Sequence, residues 1–359
     1  MINYYAVAAM AAERQKTLLA EARAARIANL AGNSVGRRTR HLRLDRRRHA
    51  SPKAPSAAPS ETKTNLPRIA FARRGVGETL VLLHGIGSSR HAWDPIVRGL
   101  AEQFDVIAID LPGFGDSPAM PAQTEAHPAA LAAAVAAFLD KHGITAPHVV
   151  GNSLGGWVAL ELAHIRPLRS LTLLSPAGLW KGATPRYCRA SLRMSRWAGR
   201  RLTGPLCRLV RFRMARLVVL GQTHGRPIRM DPRYARMAIR NVGMCPGFEA
   251  ALNATTRRHY QAGPPITAPV TVAFGTRDLL LLRRQSRHLG ELPNGTHVLA
   301  LHRCGHIPMA DNPASVTELI AASAARARWH AGRTGQPYDR VVSARSTGVV
   351  PKFPELQQK

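Results

Sequence analysis

Residues 151–155 read GNSLG, a serine held between two glycines, and Ser153 is the side chain best placed to do covalent chemistry. The surrounding run HVVGNSLGG puts it after a β-like stretch and before a helix-like one. Attack on an acyl carbon needs a hydroxyl exposed on a tight strand-to-helix turn. Gly151 and Gly155 remove side chains that would clash there, and the amino end of the helix favours developing negative charge.

A serine hydroxyl needs a base to become a nucleophile. His306 lies in HRCGHIPMADNP, directly after the strand-like HVLAL. A loop histidine at the carboxyl end of one strand can reach a nucleophile at the carboxyl end of a neighbour. His302 is the rival base, but as part of the strand end it is expected to point into the fold. The orienting acid should fall between nucleophile and base in the chain. Asp278, in FGTRDLL after the strand-like PVTVAF, fits that place, and the other acid position, after SLTLLSPAG, holds no carboxylate. Asp278 would fix the imidazole tautomer and stabilise the imidazolium without taking its proton. The oxyanion donors are expected to be two backbone amides, those of Leu154 and of Ile86 in LLHGIGSS. His84 reads as structural, and Gly85 and Gly87 let the backbone approach substrate closely.

Two further groups invite a chemical reading. DLPGFGDS carries Asp110, Gly113, Gly115, Asp116 and Ser117, but it lacks the third glycine of a dinucleotide loop and reads as a turn shaping the site wall. Cys304, two residues before His306, reads as a small buried residue. With Cys188, Cys207 and Cys245 it forms no CxxC pair and no metal-ligand spacing, so no metal and no organic cofactor is expected, and a reducing, cytoplasmic setting is.

The elements that must position these residues follow from the apolar runs. TLVLLHG (79–85), DVIAIDLPG (105–113), HVVGNSLGG (148–156), SLTLLSP (170–176), PVTVAFGTRD (269–278) and HVLALHRCGH (297–306) are short and near-continuously hydrophobic. Strands buried on both faces look like this, and helix-like stretches such as PAALAAAVAAFLDKHG separate them, so the fold class is α/β with a mostly parallel, doubly wound sheet. Residues 181–262 interrupt the alternation with amphipathic helical stretches, ASLRMSRWAGRRL, CRLVRFRMARLVVLG and DPRYARMAIRNVG, and are expected to form a helical cap. The domain plan is then a basic amino-terminal extension over 1–64, core over 65–180, cap over 181–262, core over 263–325 and a tail over 326–359.

The net charge of +30 is unevenly spread. Residues 1–64 carry 13 basic and 4 acidic side chains, 181–262 carry 18 and 2, and 326–359 carry 7 and 2, while the remainder carries 13 and 13. The segments with every motif above are together neutral, which is not the pattern of a fold built around a basic nucleic-acid-binding face. The arm around Arg37–Arg48 reads as a solvated extension, with weak contact to an anionic membrane surface as its functional alternative. Arg outnumbers Lys 44 to 7, so composition accounts for part of the excess.

Taken in order, HGIGSSRHAWDPIVRGLAEQFDVIAIDLPGFGDS, GNSLGGWVALELA, GTRDLL and GHIPMADNP resemble the α/β-hydrolase superfamily, more narrowly its helical-capped esterase-like and C–C-hydrolase-like members. The resemblance covers roughly residues 68–180 and 263–323 and implies a nucleophile elbow at Ser153, a triad with His306 and Asp278, and a small-molecule acyl substrate. Haloalkane dehalogenases and epoxide hydrolases of this fold use an aspartate nucleophile, which Ser153 argues against, and HGIGSS departs from the HGGG loop of many lipases. Esterase, thioesterase, lactonase, C–C hydrolase and cofactor-free peroxidase remain open, as does a binding protein that kept the fold.

Overall fold

The computed structural model describes residues 67–334, with only the backbone of 329–334. The extension expected over 1–64 and most of the tail expected over 326–359 lie outside the described residues. Seven strands form one sheet: β1 (Phe71–Arg74), β2 (Glu78–Leu83), β3 (Phe104–Ile109), β4 (His148–Asn152), β5 (Ser170–Leu174), β6 (Val270–Gly275) and β7 (His297–Leu301). Their order is β1-β3-β2-β4-β5-β6-β7, and every pairing is parallel except that of β1 with β3.

Three helices precede β5 or lead into it: α1 (Asp94–Leu100), α2 (Pro128–Lys141) and α3 (Leu154–Ile165). Between β5 and β6 come α4 (Arg186–Arg201), α5 (Thr203–Leu209), α6 (Arg213–Leu220), α7 (Pro232–Met244) and α8 (Phe248–Thr255). The chain then adds α9 (Arg283–Ser286), α10 (Pro308–Asp311) and α11 (Pro313–Thr334). The core/tail boundary expected at 325 therefore falls inside α11.

Successive strand residues point to opposite faces, so a continuous apolar run makes both faces apolar and both must be covered. Val81, Ile107, Val149 and Leu171 belong to one apolar cluster, packed with Leu131 and Val135 of α2 and Val158 and Leu162 of α3. Leu82, Val106, Val150 and Leu174 belong to the other, with Ile96 and Leu100 of α1 and Val316 and Ile320 of α11. This doubly wound arrangement leaves the carboxyl ends of β4, β6 and β7 at one edge.

Each of the six expected apolar runs overlaps a strand, with β2 and β3 starting one residue earlier than their runs. β1 was not expected: FARR is exposed throughout, carries no apolar alternation, and is held as an edge by its pairing with β3 and by Arg73 Nε donating to Asp105 Oδ1 at 2.8 Å.

The stretch CRLVRFRMARLVVLG, expected as one helix, is two. It breaks at Val210–Phe212, between α5 and α6, because Arg216 collects the carbonyls that the break exposes. Its buried guanidinium donates to Val210 O at 3.0 Å, Arg211 O at 3.2 Å, Pro227 O at 3.1 Å and Ile228 O at 3.0 Å. The neighbouring apolar cluster is small, with Val210, Leu220, Met230, Ala235 and Ile239 buried. A planar five-donor group is suited to this spread of acceptors and an ammonium is not. Arg216→Ala is expected to lower unfolding free energy by about 2–4 kcal/mol, with Arg216→Lys recovering less than half, as read from urea denaturation.

Candidate active site

β4 ends at Asn152 and α3 begins at Leu154, leaving Ser153 alone in the turn at φ 54°, ψ −117°. A non-glycine residue with positive φ is strained and persists only when its surroundings over-determine it. Here they do. Ser153 N donates to Leu174 O at 3.1 Å, while Ser153 O accepts from Gly156 N at 3.0 Å and Ala177 N at 2.9 Å. The flanking glycines are required by close approach, since a Cβ on Gly151 would sit 2.3 Å from Gly155 O, and one on Gly155 2.2 Å from Leu83 O.

His306 stands in the loop after β7, and its Nδ1 lies 2.9 Å from Asp278 Oδ2. Asp278, in the loop after β6, accepts with Oδ1 from Leu280 N at 3.0 Å and Leu281 N at 2.8 Å. Burial pushes the Asp278 carboxyl up, but His306 and the two amides outweigh it and hold the group below its ordinary value. An ionised Asp278 keeps the proton on His306 Nδ1 and leaves Nε2 as an acceptor. That Nε2 is buried and has no hydrogen-bond partner among the described residues. Ser153 and His306 line one cavity of about 310 Å³ without a hydrogen bond between them. Asn152 ties the two loops together, its Nδ2 donating to Leu174 O and His306 O, both at 2.9 Å.

The Ile86 and Leu154 amides have no acceptor among the described residues, and both residues, with Ser153, border a second space of about 30 Å³. His84 is buried and used up locally, with Nδ1 2.8 Å from Gly85 O and Nε2 accepting from Leu111 N at 3.0 Å.

Two readings of the sequence change. His302 is exposed, because β7 ends at Leu301 and the chain has already turned outward. DLPGFGDS does not reach the cavity; Asp110 instead accepts from Arg90 N at 2.6 Å and Asp116 N at 2.9 Å, and Gly113 O accepts from Gly247 N at 2.8 Å. No arginine or lysine lines the cavity, so the basic side chains of 181–262 do not face a substrate there. Cys304 is buried, and burial pushes its thiol up to about 11, which leaves it inert beside His306.

Two residues escaped notice in the sequence. Asp311 is a buried clamp: Oδ2 accepts from Gly225 N and Gly305 N, both at 2.7 Å, and Oδ1 from Arg226 N at 2.8 Å. It joins the loop after α6 to the loop bearing His306, at a place where a Cβ on Gly225 would lie 2.7 Å from Gly305 N. His224 lines the cavity from that same loop. Its Nδ1 lies 2.9 Å from Thr223 Oγ1, and its buried Nε2 has no partner among the described residues. The Thr223 hydroxyl stands between Nδ1 and Leu220 O, the latter 3.3 Å from Oγ1. Nothing in their spacing marks either residue, because Asp311 meets the amides of Gly225 and Arg226 far away in the chain and His224 is set apart only by the cavity it lines.

The profile of the alpha/beta hydrolase fold family matches residues 78–313. The chain belongs to the α/β-hydrolase fold family. It is an enzyme of that family, a hydrolase. A pimeloyl-acyl-carrier-protein methyl ester esterase of Aeromonas hydrophila is 29% identical over 263 residues, 70% of this hydrolase and 97% of that protein. A dihydrolipoyllysine-residue acetyltransferase component of the acetoin cleaving system of Cupriavidus necator is 42% identical over 123 residues, 33% of this hydrolase, which spans 32% of that relative. Among solved structures, a thermophilic esterase from Thermogutta terrifontis matches with a TM-score of 0.57 at 21% identity, over 76% of this hydrolase and 96% of that chain, a likeness of fold.

Burial brings the His224 imidazole down to about 4, against the opposing pull of the Asp311 carboxylate and the Leu220 carbonyl and with a smaller push from His306. The unfolded chain therefore takes up a proton below pH 6.5 that the folded hydrolase refuses until pH 4, so stability falls as pH drops through that window. His224→Gln is expected to flatten this limb of the stability profile, measured as the urea midpoint from pH 7 to 4. Asp311→Ala is expected to cost about 2–3 kcal/mol and to raise amide exchange at Gly225, Arg226 and Gly305 together, as followed by mass spectrometry.

Proposed function

We propose that the protein is a serine hydrolase of neutral carboxylic esters, working through a Ser153–His306–Asp278 triad and an acyl-enzyme. The observation that carries this reading is the His306 ring: Nδ1 is pinned to a buried carboxylate while Nε2 is left without a partner in the cavity that Ser153 also lines. Ser153 Oγ attacks the acyl carbon as its proton passes to His306 Nε2, and the tetrahedral oxyanion is held by the Ile86 and Leu154 amides. His306 then returns the proton to the departing alkoxide. Water, deprotonated by the same nitrogen, adds to the acyl-enzyme, and Ser153 leaves with that proton. Each step is a transfer between named atoms, and Asp278 stays ionised throughout.

The two spaces beside Ser153 constrain the substrate. The larger is walled by Leu192, Leu206, Val219, Ile239, Val242 and Phe248, the smaller by Ala177, Trp180, Leu252 and Leu281. An apolar arm fits the first and a group of very few atoms the second. The unpartnered Nε2 of His224 favours a polar group, such as a hydroxyl, on the longer arm. The absence of any cationic side chain from the lining favours an uncharged molecule over a carboxylate-bearing one. The esterase relative described above supports an ester as the bond cleaved.

Hydrolysis of p-nitrophenyl esters from acetyl to palmitoyl tests this. Wild type should turn over the shorter esters fastest, and kcat/KM for neutral esters should exceed that for carboxylate-bearing ones and be insensitive to salt. Ser153→Ala should retain about 10³–10⁴-fold over the uncatalysed rate at most, and a fluorophosphonate should label wild type at Ser153 alone. Unchanged hydrolysis by Ser153→Ala would sink the proposal.

A further inference from the structure

The ten arginines between Arg186 and Leu220 have no aspartate or glutamate among them, and none forms an ion pair with a carboxylate among the described residues. Arg196 and Arg216 are buried and spent on backbone carbonyls. Seven of the others, Arg213 among them, are exposed. The same segment holds most of the large apolar side chains that are exposed: of fifteen among the described residues, nine lie between Tyr187 and Val218. Val218 is 85% exposed, Met214 66%, Met194 63% and Phe212 54%.

Within α4, Met194, Trp197 and Arg201 follow at helical spacing and are all exposed, as are Leu209, Phe212, Met214, Leu217 and Val218 in the adjoining α5, α6 and the turn between them. Large contiguous apolar surface is rare on a free-standing protein and marks an interaction site. Uncompensated arginines interleaved with it require a partner that offers both negative charge and an apolar interior. A nucleic acid would take the arginines but leave Met214, Leu217 and Val218 in water. A bilayer with anionic headgroups takes both, since the guanidinium ends stay at the headgroup level while aliphatic side chains pass beneath it, and tryptophan favours that boundary. Charge contributes about fivefold in partitioning for each arginine near the surface.

We propose that the outer face of α4, α5 and α6 docks on anionic phospholipid bilayers. No helix among the described residues is long and apolar enough to cross a membrane, and this docking is peripheral. Met194 both lines the cavity and stands at the surface, so the cavity opens onto the docking face and draws amphiphilic esters from the lipid–water boundary. That last step rests on the serine-hydrolase reading; the docking does not.

The test uses the full chain and sedimentation with vesicles of phosphatidylcholine, alone or mixed with phosphatidylglycerol. The protein should sediment with the mixed vesicles and stay in the supernatant with the neutral ones. Because residues 1–64 and 326–359 are also basic, the decisive variant removes apolar groups and no charge: Phe212→Ser, Met214→Ser and Val218→Ser together should cut partitioning about tenfold or more. In a Trp329→Phe background acyl-brominated lipid should quench Trp197, since Trp93, Trp157 and Trp180 are buried, and adding Trp197→Phe should abolish that response. Quenching needs no destabilising change, so a triple variant that fails to fold does not leave the matter open. Ser153→Ala should bind like the parent, which separates docking from catalysis. Equal binding by the triple variant, absence of Trp197 quenching, or retention on double-stranded DNA with no loss in the triple variant would each overturn the assignment.

Discussion

The turn at Ser153 is the constraint on which the remaining geometry depends. A serine at φ 54° sits where a side chain is disfavoured by the order of 1–3 kcal/mol, and the strain is sustained because the turn is locked from three sides. β5 binds its amide, α3 binds its carbonyl, and the glycines at 151 and 155 let α3 approach β2 to the point where no Cβ would fit. That approach requires the two-faced apolar sheet described above, because a helix can press this closely on a strand only where both surfaces are dry. The sheet therefore does more than present Ser153; it supplies the packing that keeps the hydroxyl at the carboxyl edge of β4.

Around this turn, the buried polar groups divide by whether their hydrogen bonds are complete. His84, Asp110, Asn152, Asp278 and Asp311 are matched to backbone groups or to one another, and each fixes one loop against the next. A buried polar atom without a partner is costly, so such atoms are few and warrant a reason. Among those without one, the Nε2 atoms of His306 and His224 belong to residues lining the same cavity. Two unpaired imidazole nitrogens around one apolar space are what a ligand with polar groups would complete.

The strands and the residues chosen for chemistry were legible because both follow from local signals. Continuous apolar runs mark buried parallel strands, and GNSLG, FGTRDLL and GHIP sit at their carboxyl ends, where the fold class puts functional loops. What was not legible is decided by partners distant in sequence. FARR carries no pattern, yet it becomes β1 because β3 offers a free edge. The break at Val210–Phe212 depends on Arg216 reaching carbonyls of Pro227 and Ile228 as well as its own turn. Asp311 looks like any acid in a loop until Gly225, Arg226 and Gly305 are brought to it. His302 was judged by its place at a strand end, and a turn one residue earlier exposes it.

The helical insertion between β5 and β6 has little apolar core of its own, five buried side chains in the cluster about α6 and α7, and leans on polar seams instead. One seam is internal, Arg216 with its four carbonyls. Another runs to the body of the protein through Asp311, with Ile307 N donating to Thr223 O at 3.1 Å and the Arg277 guanidinium to Gly225 O at 3.1 Å beside it. These contacts lie immediately next to His306 on one side and His224 on the other. Hydrogen bonds are directional and short-ranged, so a shift of the insertion away from the body lengthens the Gly225 and Arg226 contacts, while the Gly305 amide, in the body with Asp311, keeps the carboxylate. The loop that carries His306 is thereby joined to the insertion through one buried carboxylate, Asp311, which accepts from both sides of the seam.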